Sequence, residues 1–206
     1  MKEKTNSAKT EKHPLPPFLP DKAEYLFLGS FPPKRQRWSM EFFYPNFQND
    51  MWRIFGLIFF NDRNYFVNIE EKTFKKEEII AFLTKRRIAV YDTAKTVMRL
   101  KDNASDKDLE VIEQVDLEKI IRELPCLRNI VATGQKAMET VVRQFADKNI
   151  RILPPAVGGY TAFIFDGRKL RLYRMPSSSR AYPLATEKKA EIYEAAFALS
   201  AAETIF

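Results

Sequence analysis

Short apolar runs alternate along this chain with stretches whose apolar residues recur at helical spacing. Tyr25–Gly29 (YLFLG) is an apolar run closed by Gly29 and then by Pro32 and Pro33, which predicts a buried strand. Residues 88–91 and Asn129–Thr133 predict two more strands of this kind, and Asp92 stands at the carboxyl end of the first. Between them, Met51, Ile54, Phe55, Ile58 and Phe59 keep helical spacing after the helix-start residues Asn49 and Asp50. Ile79, Ile80, Phe82 and Leu83 mark a second helix, ending in the basic run 85–87, which reads as a solvated helix end. Residues 99–110 form a polar excursion before a helix over 117–124, and Gly134 opens a helix holding Met138, Val141, Val142 and Phe145. TAFIFDGRKLRLYR then gives two alternating runs joined by Asp166-Gly167, a hairpin signal. An Ala-rich helix over 185–204 closes the chain. Strands alternating with helices predict an α/β fold, a mainly parallel sheet with helices on both faces. No internal repeat is visible.

Residues 1–20 break the pattern. They are polar, charged and Pro-rich, which predicts a flexible tail ahead of a single α/β domain over 21–206. The one histidine, His13, falls in that tail, so His-based triads and His-rich metal centres are not expected in the folded body. The one cysteine, Cys126, excludes an internal disulfide and a Cys-cluster metal site, and reads as a small buried residue before a strand. No apolar stretch reaches the ~20 residues that span a bilayer, and the N-terminus lacks the apolar core of a signal peptide, so a cytoplasmic protein is expected. Neither G-x-G-x-x-G nor a P-loop occurs, which weakens a reading as a small-molecule α/β enzyme. A formal charge of +7 favours a polyanionic partner.

Two loops carry most of the chemistry. EYLFLGSFPPKRQRW runs into FFYPNFQNDMWRIFG, and KLRLYRMPSSSRAYP follows much later. Each leaves the end of a predicted strand, and in an open α/β sheet ligands bind outside the carboxyl ends of the parallel strands. Both loops would therefore face one cleft. Aromatic, amide and hydroxyl groups gather there with Lys34, Arg35, Arg37 and Arg180, which suits a flat polar ring on a phosphate backbone. Lys34, Arg35 and Arg37 are expected phosphate contacts. Ser177, Ser178 and Ser179 can bind flanking phosphates through hydroxyls and helix-start N–H groups, and Arg180 or Tyr182 can enter the base stack. Asp92, with no partner evident in the sequence, reads as a structural cap.

In this order the loops resemble the two signature motifs of the uracil-DNA glycosylase superfamily, most closely its hypoxanthine/mismatch-type branches. Asn49-Asp50-Met51-Trp52-Arg53-Ile54 resembles that family's Asn-x-Phe-Trp-Arg/Lys-Ile segment. Residues 88–92 with Arg99 and Ser105-Asp106 resemble its middle stretch, and residues 130–134 its base-reading strand, so the likeness spans roughly residues 24–184. The resemblance implies a three-layer α/β/α sandwich with a central, mainly parallel four-stranded sheet. It also implies a monofunctional enzyme, without metal or organic cofactor, that hydrolyses the N-glycosidic bond of a deaminated base, uracil or hypoxanthine, flipped out of DNA. No lysine stands in a motif position, so a β-lyase step is not expected, and a monomer is.

Departures from the pattern matter too. Phe31 in Gly29-Ser30-Phe31-Pro32 stands where classical members carry an acid or amide, and Met175 where they carry His or Asn before Pro-Ser. In the hypoxanthine-type branch the catalytic amide corresponds to Asn49, which orients water but cannot take its proton. Asn49 also has the position of a helix cap. By the same resemblance Phe43 or Tyr44 stacks on the extruded base, Ser30 and Phe31 line its pocket, and Thr133 meets its edge. Phe31 and Met175 support an alternative: a DNA-binding protein on the same fold that has lost catalysis.

Overall fold

The structure, a computed structural model, describes residues 10–99 and 109–203. In chain order the strands and helices are β1 (Thr10–Lys12), β2 (Tyr25–Gly29), α1 (Met51–Phe60), β3 (Val67–Asn68), β4 (Thr73–Phe74) and α2 (Lys76–Lys85). There follow β5 (Ile88–Asp92), β6 (Ala94–Arg99), β7 (Leu109–Gln114), α3 (Leu117–Glu123), β8 (Asn129–Thr133) and α4 (Gln135–Ala146). The hairpin β9 (Tyr160–Phe165) and β10 (Arg168–Met175) precedes the closing helix α5 (Thr186–Glu203).

The central sheet has the order β5-β2-β8-β10-β9. Its first four strands are parallel, as the alternation of strand and helix requires, and β9 adds an antiparallel edge, making five strands where four were expected. β9 turns back onto β10 through Asp166 and Gly167, both at positive φ, the backbone that this dipeptide tolerates in a two-residue hairpin turn.

Side chains alternate across the sheet, so register decides what each face buries. Leu26, Ile130 and Leu172 lie side by side on one face, and Phe27, Val131 and Tyr173 on the other. The Phe27 ring meets Phe55 of α1 at 5.3 Å and Phe197 of α5 at 5.9 Å. On the opposite face Phe145 of α4 packs on Phe163 of β9 at 4.9 Å. The result is a mixed α/β fold with helices on both faces of a mostly parallel sheet.

The N-terminal segment departs from expectation. Residues 10–20 do not trail from the domain. β1 pairs antiparallel with β6, which pairs with β7, forming a second, three-stranded sheet. Phe18 exchanges two backbone hydrogen bonds with Val90, adding one rung beside β5. Arg99 of β6 fixes this strap, donating from Nε to the Glu11 carboxylate at 2.9 Å and from Nη2 to the Pro32 carbonyl at 2.7 Å. Cys126 is exposed in the turn after α3 rather than buried. Residues 1–9, Ser105 and Asp106 lie outside the described residues. No helix among those described is long and apolar enough to cross a membrane.

Candidate active site

Parallel register brings the carboxyl ends of four strands to one line. Gly29 stands beside Asp92, and Thr133 beside Met175. Gly29 is required there by space: a Cβ would sit 2.2 Å from Asp92 Oδ1 and 3.6 Å from the Tyr44 hydroxyl. The predicted loops leave from this line, and both fold over it.

The first loop is closed by its own hydrogen bonds. Ser39 donates from Oγ (2.8 Å) and from its N–H (2.9 Å) to the Pro45 carbonyl, and the Trp52 indole donates to the Phe43 carbonyl at 3.2 Å. It is then tied to the second loop. The Asp50 N–H donates to the Ser178 carbonyl at 2.8 Å, and Asn49 forms a bridge with Ser179. Beneath this contact lies the fully buried Lys189 of α5, whose Nζ donates to Asp50 Oδ2 at 2.9 Å and to the Ser179 carbonyl at 2.8 Å. Arg180 approaches the other Asp50 oxygen at 3.6 Å.

Asn49 stands both at the start of α1 and on the cavity. Its Oδ1 accepts the Met51 N–H at 2.9 Å, capping α1, and its carbonyl accepts from Arg53 Nη1 at 2.9 Å. The residue also lines the main cavity, of about 710 Å³, and its amide Nδ2 has no hydrogen-bond partner among the described residues. The amide is thus held by its oxygen and offers its N–H groups to a ligand.

Ser30, Phe31, Tyr44 and Thr133 line the same cavity, together with Arg37, Ser177, Ser178, Ser179 and Arg180. Tyr44 has φ of 49°, a left-handed backbone that is strained for a bulky residue, and its hydroxyl lies 3.1 Å from Thr133 Oγ1. Thr133 Oγ1 donates to the Leu28 carbonyl at 3.1 Å, so the Tyr44 hydroxyl donates to Thr133 and keeps its lone pairs for the cavity. Burial first, and then the nearby Asp92 charge, push the Tyr44 phenol far above its ordinary value, so it is a neutral hydrogen-bonding group.

Other expected residues lie elsewhere. Phe43 is buried beneath the loop against Phe42, Tyr91 and His13, so between the two candidate stacking rings only Tyr44 reaches the cavity. Arg35 is paired with Glu41 and lies over the Trp38 ring, and neither Arg35 nor Lys34 lines the cavity. Met175 is 1 % exposed, sealed under the second loop.

Three residues of the site go beyond the sequence reading. Asp92 lines the cavity, and its Oδ2 lies 2.9 Å from Nε2 of His13, the residue assigned to a loose tail. Burial first and the Asp92 charge second also raise the Tyr91 phenol. Arg99 lines the cavity beside Phe31, its guanidinium 5.6 Å from that ring. A lone histidine near the N-terminus carries no sequence signal of this contact, because its partner is 79 residues away.

No family model matches the sequence, and no curated protein matches it. Among solved structures, the fold is similar to the solution NMR structure of a "putative Uracil DNA glycosylase" from Methanosarcina acetivorans. The two share 22% identity at a TM-score of 0.60, over 92% of this chain and 97% of that one. A likeness this long at so low an identity defines the fold, a central, mostly parallel sheet flanked by helices.

Proposed function

We infer that the protein is a monofunctional DNA glycosylase that hydrolyses the N-glycosidic bond of a deaminated base, uracil or hypoxanthine, flipped out of DNA. The observation that carries this reading is the convergence of Asn49, Tyr44 and Thr133 on one cavity at the strand ends, with Arg37 and Arg180 at the same cavity. Extruding a base costs a few kcal/mol. Stacking on an aromatic ring offsets this by about 1–3 kcal/mol per base. Tyr44 provides the ring, and its hydroxyl with Thr133 meets the polar edge. Both bases present lactam N–H and C=O groups there. The N–H groups of Asn49 hold the attacking water in place as the oxocarbenium-like state develops, a positional contribution.

The test is base release from labelled oligonucleotides carrying uracil or hypoxanthine, single-stranded and in defined mispairs. The purified protein is expected to release one of these bases, leaving an abasic site that is cut only after alkali. Asn49→Ala is expected to lower the rate by about 10²-fold, the scale for a reactant no longer held in place. The burial of Phe31 and Met175 where classical members carry polar groups favours one other reading, a DNA-binding protein without catalysis. Salt-sensitive binding with no base released from any of these substrates would establish that reading instead.

A further inference from the structure

Asp92 has no part in the reaction described above, yet its surroundings are those of a prepared acid–base group. Its side chain is only 9% exposed, although it faces the cavity. A carboxylate this buried is costly unless it is paired and held. His13 holds it. The imidazole is 2% exposed and packed among the rings of Phe31 at 5.3 Å, Phe43 at 6.1 Å and Tyr91 at 4.9 Å. Its Nε2 lies 2.9 Å from Asp92 Oδ2, and its Nδ1 lies 2.8 Å from the Leu15 carbonyl. The Leu15 N–H also donates to Nδ1, at 3.2 Å, so contacts at both nitrogens fix the ring's orientation, with Nε2 toward Asp92.

The strap that carries His13 is itself fastened. The His13 N–H donates to the Lys95 carbonyl at 2.8 Å, and Glu11 is bound by Arg99. His13 therefore occupies one carboxylate oxygen only. Oδ1 lies over Gly29, near the Tyr44 hydroxyl, with no hydrogen-bond partner among the described residues. Asn49, on the same cavity, can position a water molecule but cannot accept its proton.

We propose that Asp92, oriented by His13, is the catalytic base of this site, accepting through Oδ1 the proton of the water that Asn49 positions. The proposal rests on the base-excision reading. The water oxygen bonds to C1′ of the deoxyribose while the C1′–N bond breaks and its electron pair leaves with the base. The water proton passes to Asp92 and then to solvent, and the departing base takes a proton from solvent. A carboxylate supplied from β5 thus does what Phe31 cannot do from the first loop. His13 is a positioning residue, acting through Asp92.

The experiment is single-turnover base release by the full chain on the oligonucleotide it cleaves best, with binding to an uncleavable duplex measured alongside. Asp92→Asn, which keeps the shape and loses the base, is expected to slow release by about 10²–10³-fold. Binding is expected to stay within about threefold, so that the loss falls on the chemical step. His13→Gln keeps an N–H donor near the Nε2 position and is expected to recover most of the rate that His13→Leu loses, with both variants folded by circular dichroism. Should Asp92→Asn fail to fold, the contrast at His13 decides. Wild-type release with Asp92→Asn unimpaired, or with the two His13 variants equally slowed, overturns the proposal and leaves the glycosylase reading standing. A wild-type protein that releases no base overturns both.

Discussion

At the scale of single residues, the site depends on how close Gly29, Asp92 and Tyr44 come to one another. The added Cβ of Gly29→Ala would meet the Asp92 carboxylate at 2.2 Å, so that side chain must swing away or β2 must shift from β5. Base release is therefore expected to fall at least about tenfold, while the cost in stability stays near the 1–3 kcal/mol of an overpacked site. Paired rate and melting measurements check this, and an unchanged rate would mean that the carboxylate has room to spare. Tyr44 gives a prediction in pH. Its folded-state value is raised by burial and by Asp92, and burial raises Tyr193 as well, so the folded protein keeps protons that the unfolded chain gives up. Their contribution is complete below about pH 10, the ordinary tyrosine value, and is lost as pH rises above it. Melting temperature is expected to fall steeply above about pH 10, and less steeply in Tyr44→Phe. A melting profile that is flat to pH 11 would contradict this.

At the scale of elements, the two loops are held in register from below by α5. Lys189 and Asp50 are both buried and are 139 residues apart in sequence. Lys189→Met leaves the Asp50 carboxylate buried and without its main partner, a change worth about 3–5 kcal/mol. At about 2–4 °C per kcal/mol for a domain of this size, the melting temperature should drop by roughly 10 °C. Asp50→Asn combined with Lys189→Met should recover part of the loss, and a thermodynamic cycle in which the two changes add independently would refute the clamp. The same pair marks what the sequence can convey. Strand and helix alternation was legible because each main element carries its own period, and the loops were legible because they stand at strand ends. Asp50 was visible as a helix start, but nothing in an Ala-rich helix shows that Lys189 is its partner. β1, β6 and β7 escaped for a related reason: Thr10–Lys12 is polar throughout, and Leu109 begins a strand inside what reads as a polar excursion. Their stability comes from pairing across distant segments, and that pairing is what brings His13 to Asp92.

At the scale of the whole molecule, a net charge of +7 says only that a polyanion is attracted; the structure divides the cations by what they can do. Arg37 and Arg180 are exposed and line the cavity, and the carboxylate nearest Arg180, Asp50 at 3.6 Å, is already paired with Lys189 at 2.9 Å. Arg35 is equally exposed but faces Glu41, and Arg99 is committed to Glu11 and Pro32. Binding to DNA releases one set of condensed counterions for each phosphate neutralised, so the logarithm of affinity falls with the logarithm of salt by about 0.9 per contact on duplex DNA. Arg37→Ala and Arg180→Ala are each expected to make that slope shallower by about one and to weaken binding to any sequence alike. Arg35→Ala should leave the slope within about 0.3 of its starting value, because its charge is already matched by a carboxylate. Affinities measured from about 50 to 200 mM salt separate the outcomes. Equal effects at all three arginines would mean that attraction is spread over the surface. A change confined to Arg37 and Arg180 would place the phosphate backbone across the mouth of the cavity that Tyr44 lines.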